Sequence, residues 1–363
     1  SSPLWNRQFE AFTTNNSLLN KEVAKGTYDE LIAHTAEELE GQVPEEDMPL
    51  EISFVLNARH ALRLVNRFDA YVSVELHTDL MNDLERSVAY GRRFHEICPE
   101  KFYVKVPLTA SGLLAARCLE QEGIPVNCTL GFSARHNFLI GAVAETAFCN
   151  VFLGRLNSFV ANNDLGDGEM IGERATISSQ QAVSELRDVL GVKTQQIAAS
   201  MRNGRQVLSL AGVDVFTMPL SVVKEFEDLA PSADDVTSQT AELPAVQFAP
   251  DVNPEESGIN VLWDVPAKFK NAVADLRDWN LDSFSASDVR EFFATRGFPG
   301  LFPNWSDEEI NTAKSTGKIP DYSMWSDKLA AGEVGLDALM NLHAAYYFAD
   351  DQKTMDDRIR SML

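Results

Sequence analysis

Seven short apolar runs, each followed by a helical or loop stretch, alternate along the chain as far as residue 228. They cover residues 11–15, 71–76, 102–107, 124–130, 148–159, 193–199 and 213–218. Strands that run the same way need a crossover segment between them, so this alternation predicts βα units around a parallel sheet. Between the runs, Ile52, Val55, Leu56, Leu62 and Val65 recur at helical spacing, as do Leu80, Leu84 and Val88. Seven such strands nearly fill an eight-stranded barrel. The competing open, doubly wound sheet would carry a glycine-rich phosphate loop after its first strand, and neither GxGxxG nor GxxxxGKS/T occurs.

Between 229 and 261 the periodicity lapses and proline, serine and acidic residues accumulate, the composition of a long surface connection. Helical patterns resume at 266–279, at 285–293, at Ser306, where Glu309 completes a capping box, and from Leu336 onward. The expected architecture is an α/β TIM (β/α)8 barrel over residues 1–230. A linker and helical C-terminal extension over 231–363 would pack on it.

The run Phe102-Tyr103-Val104-Lys105-Val106-Pro107 sets one lysine among strand-forming apolar residues. Pro107 should end the ladder, and Thr109 should cap the helix that follows. Burial penalises an ammonium, so such a lysine either finds a carboxylate or gives up its proton. Only the free amine attacks a carbonyl, which makes a strand-end lysine a candidate Schiff-base nucleophile. A lysine snorkelling past the strand end to solvent is the plainer alternative.

Charge narrows the partners. Lys and Arg number 31 against 54 Asp and Glu, a net −23, which argues against nucleic acid or an anionic membrane. Small phosphorylated ligands respond to local charge and stay open. Cys98, Cys118, Cys128 and Cys149 form no CxxC pair and read as thiols of a reducing, cytoplasmic setting. No apolar run reaches membrane-spanning length.

Chemistry in a barrel sits where strands end. The polar residues there are Thr14 and Asn15, Glu75, Lys105, Asn127 and Thr129, Asn157, Ser200 and Arg202. Each has a bland reading as a cap or a surface pair. A lone lysine and a lone carboxylate on adjacent strands are harder to dismiss.

These residues lie in recognisable company. Thr13-Thr14-Asn15-Asn16-Ser17-Leu18 resembles the TTNPSL motif of transaldolases, in the class I Schiff-base aldolase superfamily. Val72-Ser73-Val74-Glu75 resembles their S-x-E-V strand, and Val104-Lys105-Val106-Pro107 their Schiff-base strand. The stretch Glu122-Gly123-Ile124 through Asn127, Thr129-Leu130 and Phe132-Ser133 is similar to EGI-x-x-N-x-TL-x-FS. Ala199-Ser200-Met201-Arg202-Asn203, Ala211-Gly212-Val213-Asp214 and the terminal Asp351-Gln352-Lys353 also follow the family's order.

The resemblance implies that Lys105 attacks the ketose carbonyl and holds a dihydroxyacetone unit as an imine. Glu75 would move protons through a water held by Thr129. Thr14, Asn15 and Asn127 would surround the three-carbon unit, with Asn15 and Asn127 on its hydroxyls. Ser200 and Arg202, at the start of a helix, would bind the substrate phosphate. The implied enzyme is a transferase of the pentose phosphate pathway type that moves dihydroxyacetone between ketose and aldose phosphates. It would use no metal or organic cofactor, and a homodimer is an open expectation. An aldolase releasing dihydroxyacetone and a non-catalytic sugar-phosphate-binding barrel are the alternatives.

Two departures stand out. The family's first strand carries an aspartate for carbon–carbon cleavage, and on this frame that strand falls before Ser1, so an upstream segment or a partner chain is expected to supply it. Second, Asn157-Ser158-Phe159-Val160-Ala161-Asn162 aligns with the family's SPFVGR. This places Phe159 at the substrate and Asn162 where the pattern has its phosphate-binding arginine. Arg135 would then either supply a substitute cation or lie on the surface. With Glu75, Phe159 also favours transfer over release, since fructose 6-phosphate aldolases differ at both positions.

Overall fold

The computed structural model describes residues 8–363. From β1 (Ala11–Thr13) the chain passes to α1 (Asn16–Ala24), α2 (Asp29–Leu39) and α3 (Met48–Phe68). Next come β2 (Tyr71–Glu75), α4 (Leu84–Ile97), β3 (Phe102–Pro107) and α5 (Ala110–Gln121), then β4 (Val126–Thr129) and α6 (Ala134–Leu139). After β5 (Phe148–Phe152) lie α7 (Leu153–Asn162) and α8 (Ile171–Leu190). The last βα units are β6 (Gln195–Ala199) with α9 (Arg205–Ser209), and β7 (Val215–Phe216) with α10 (Leu220–Leu229). The seven strands form one curled parallel sheet in sequence order.

The two faces of this sheet divide the labour, because successive strand residues point opposite ways. Val72, Val74, Val104, Val106, Val126 and Cys128 face the surrounding helices and pack with Phe94, Leu113, Leu119 and Leu139. The alternate set, Ser73, Glu75, Lys105, Asn127 and Thr129, faces the interior. Beneath it an aromatic layer fills the sheet's concavity, with ring centroids 5.8 Å apart for Tyr71 and Tyr103 and 5.2 Å for Tyr103 and Phe148. The polar groups thus meet above an apolar floor.

The expected run 148–159 does not stay extended. The strand stops at Phe152 and α7 begins at Leu153. Short apolar stretches do not separate a buried strand from a buried helix, and this run, broken by Asn150, Gly154, Arg155, Asn157 and Ser158, contains both. The 102–107 strand keeps its expected bounds, and Thr109 Oγ1 accepts the Gly112 N–H at 2.8 Å as the cap of α5. The eighth strand of a closed barrel is not among the described residues. At the two ends of the sheet, Thr13 Oγ1 and Thr217 Oγ1 lie 3.0 Å apart, so side chains link the β1 and β7 ends there.

After residue 229 come α11 (Ala267–Arg277), α12 (Ala286–Thr295), α13 (Asp307–Thr316), α14 (Ser326–Ala330) and α15 (Leu336–Arg360). Ser306 and Glu309 make the expected capping box at α13. The long α15 buries Leu339, Met340, Leu342 and Phe348 against Leu130, Phe132, Val151 and Leu156. Each such side chain contributes roughly 1.5–3 kcal/mol. Asn341 Nδ2 donates to the carbonyls of Leu108 and Leu130, both at 2.9 Å. These bonds tie α15 to the points where β3 and β4 end. No described helix is long and apolar enough to cross a membrane.

Candidate active site

Strand register brings the lysine and the carboxylate together. Glu75 pairs with Lys105 across β2 and β3, and Lys105 with Asn127 across β3 and β4. Lys105 Nζ lies 3.0 Å from Glu75 Oε1 and 3.3 Å from the Thr14 carbonyl oxygen, with 6% of the residue exposed. The snorkelling alternative is therefore overturned. Phe348 of α15 roofs the ammonium, which lies 5.8 Å from its ring centroid. Two charges this far from water persist only because each satisfies the other.

The neighbours are equally specific. Thr14 Oγ1 donates to the Ser73 carbonyl at 2.9 Å, and Asn127 Nδ2 to Ser73 Oγ at 3.1 Å. Asn15 caps α1, its Oδ1 accepting the Leu18 N–H at 2.8 Å. Thr129 Oγ1 is buried and has no hydrogen-bond partner. An orphaned hydroxyl one strand beyond the lysine is a ready station for a water or a substrate hydroxyl. Beside Glu75, a space of about 20 Å³ is walled by Met81, Pro107, Leu130, Ala345 and Phe348. That is room for little more than one water.

Phe348 also contacts a second cation, Arg155. Because β5 ends at Phe152, Arg155 falls three residues past the strand end, in the first turn of α7. Arg155 is buried against the rings of Phe152, Tyr347 and Phe348, with Nη1 unpartnered. Burial, and after it the Arg202 cation, push its pKa down to about 10, against the pull of Tyr347 and Asp351. Burial also lowers that of Arg202. Neither guanidinium has an ion pair among the described residues. Two partly desolvated, mutually repelling cations are relieved by one bridging anion.

This corrects the reading of 157–162. The Phe-x-Gly-Arg spacing of SPFVGR falls on Phe152-Leu153-Gly154-Arg155, at the strand end, and not on Phe159 to Asn162. The arginine is thus present. Phe159 is fully buried in α7, its ring 6.3 Å from that of Tyr322, and does not reach the interior cluster. Phe159 therefore gives no ground for transfer over release. Asn157 instead donates to Glu173 Oε2 at 3.0 Å.

Arg135 is neither a surface residue nor a free cation. Its Nε and Nη2 donate to the two oxygens of Asp337 at 2.7 and 2.6 Å, a bidentate pair that joins α6 to the first turn of α15. Its donors toward a phosphate are spent on this clamp. Ser200 follows β6 with φ of 64°, a left-handed conformation that costs a non-glycine residue about 1 kcal/mol. The Ser200–Arg202 loop does not open a helix as expected, since α9 starts only at Arg205. The Arg202 and Asn203 N–H groups are taken by Gln206 Oε1, at 2.6 and 3.3 Å.

Among the described residues, His77, Asp79 and Asp356 have metal-ligand spacing. Both ring nitrogens of His77 are already engaged. Nδ1 accepts the Asp79 N–H at 3.1 Å and Nε2 meets Asp356 Oδ2 at 3.2 Å, so the group reads as a brace between the β2 end and α15.

The chain is similar to proteins named probable transaldolase from Agathobacter rectalis (34% identical over 145 residues), Ruegeria pomeroyi (37% over 158) and Thermus thermophilus (37% over 145). The matched stretches cover 39%, 43% and 39% of this chain. They span 60%, 64% and 58% of those relatives' own length. A family profile described as Transaldolase/Fructose-6-phosphate aldolase matches residues 4–279, most of the sequence. With the lysine, the carboxylate and the strand-end arginines in place, the chain belongs to the transaldolase/fructose-6-phosphate aldolase family.

Proposed function

We propose that the protein is a Schiff-base transaldolase that moves a dihydroxyacetone unit between ketose and aldose phosphates, as in pentose phosphate metabolism. The observation that carries this reading is the buried Lys105 Nζ, 3.0 Å from Glu75 Oε1. In the resting pair the ammonium passes a proton to the carboxylate, and the free amine adds to the ketose C2 carbonyl. Glu75 returns a proton to the carbinolamine hydroxyl, which leaves as water and yields the iminium. Thr129, whose hydroxyl is buried and unpartnered, holds the water that relays these protons. Asn127 and Asn15 bind hydroxyls of the three-carbon unit, and Arg155, Arg202 and Ser200 bind the phosphate.

In this reading the sheet belongs to an eight-stranded barrel, and the base for carbon–carbon cleavage comes from a strand beyond the seven described. Borohydride reduction with fructose 6-phosphate, followed by peptide mass spectrometry, should place the adduct on Lys105. Turnover with an aldose phosphate acceptor then separates transfer from release of dihydroxyacetone. An adduct on another lysine, or none, would overturn the reading.

A further inference from the structure

The Glu75 carboxylate has two oxygens, and only one faces the lysine. Glu75 Oε1 meets Lys105, while Oε2 accepts the main-chain N–H of Asn16 at 3.1 Å. Asn16 is the first residue of α1, and the N–H of a first helical residue has no acceptor within its own helix. The carboxylate thus completes the end of α1, and the positive end of the helix dipole favours the anion there.

The Asn16 side chain does not explain its own presence. It is fully buried, and neither Nδ2 nor Oδ1 has a hydrogen-bond partner. A buried, unpaired amide is a cost to the fold. The TTNPSL pattern that this segment resembles has proline at the matching position, and proline has no N–H to give. This chain therefore makes a bond to its carboxylate that the pattern lacks.

We propose that Asn16 is a positioning residue, whose main-chain N–H holds Glu75 with Oε1 turned toward Lys105 and so speeds imine formation. The inference rests on the Schiff-base reading of Lys105 and Glu75. It assigns the effect to the backbone, which makes an unusual pair of variants decisive.

Asn16→Ala and Asn16→Pro both delete the unpaired amide, and only Asn16→Pro deletes the N–H. The site tolerates the ring. Proline is favoured at a first helical position, and Asn15 before it is already extended, at φ −150° and ψ 162°, as a residue preceding proline must be. Lactic acid incorporated at position 16, an ester in place of the amide, removes the N–H without the ring.

The measurement is the first-order rate of borohydride-trappable adduct on Lys105, by quenched flow, against ketose concentration. Asn16→Ala should stay within about twofold of the wild type. Asn16→Pro and the ester should both be about tenfold slower at saturation with the half-saturating concentration unchanged, since the bond acts on the proton carrier and not on substrate binding. An ester as fast as the wild type would overturn the inference and leave the Schiff-base reading intact. An Asn16→Ala rate as slow as that of the ester would do the same, by moving the effect to the side chain. Absence of any Lys105 adduct in the wild type would instead sink the Schiff-base reading, and this inference with it.

Discussion

Gly154 and Arg202 are in contact through the space where a side chain on the glycine would stand. A methyl group there would come within 2.9 Å of Arg202 Cγ and Nε, and within 2.2 Å of the Ser200 carbonyl oxygen. Close approach at this point lets the first turn of α7, with Arg155, lie beside the loop after β6, with Arg202. Gly154→Ala should force that loop outward. We expect the KM for a phosphorylated ketose to rise at least about tenfold, with a smaller change for free dihydroxyacetone. Equal changes for both substrates would show that the loop carries no phosphate specificity.

The three arginines should behave differently. On the proposed reading, Arg155→Ala and Arg202→Ala each remove a charge-assisted contact to the phosphate and should raise KM selectively for phosphorylated substrates. Arg135→Ala should leave KM unchanged and strand the buried Asp337 charge, at a cost of about 3–5 kcal/mol in denaturant unfolding. Although burial pushes the Asp337 carboxyl up, Arg135, His136 and Ser133 hold it well below the usual carboxylate range. Its folded value is depressed, so its contribution is complete above the unfolded carboxylate pKa and is lost as pH falls through strong acid. A rise in KM for Arg135→Ala at full stability would return that residue to the site.

Glu75 and Thr129 should act on one water. Removing either, as Glu75→Gln or Thr129→Val, should slow imine formation by about 10²–10⁴-fold. The double variant should lose less than the sum of the two effects, because both act on the same proton path. Full additivity in quenched-flow trapping would count against a shared water.

Glu120 gives the fold a pH dependence far from the chemistry. At the end of α5, its Oε1 accepts the N–H groups of Val126 and Ala147, at 2.7 and 2.6 Å, below the starts of β4 and β5. Burial pushes its pKa up to about 7 despite those two bonds. A carboxyl raised in the folded state binds its proton more tightly there than when unfolded. Its contribution is therefore full below the unfolded pKa and declines as pH rises through about 7. We expect a loss of roughly 2–3 kcal/mol between acid and mildly alkaline pH. Glu120→Gln should flatten that decline, and an unchanged slope would show that Glu120 does not titrate in this range.

Local pattern alone determined a good deal of this molecule. The strand at 102–107, the Thr109 cap and the Ser306 capping box rest on neighbours a few residues apart, as do the alternating pairs Ser73 and Glu75, Asn127 and Thr129. Lys105 stands out as a lone lysine in an apolar run and Glu75 as a carboxylate at the end of the neighbouring one, and strand register then sets the two side by side. Tertiary structure decided what local pattern leaves degenerate. The run 148–159 interleaves apolar residues with Asn150, Gly154, Arg155, Asn157 and Ser158, and its Phe-rich ends fit a strand and a helix alike, so the fold decided the switch at Phe152 and with it the choice between Arg155 and Asn162. Arg135 takes its meaning from Asp337, about two hundred residues away and brought near only when α15 crosses the strand ends. The Asn16 bond to Glu75 is made by a main-chain N–H, which every residue but proline carries, so only the fold reveals which acceptor it meets.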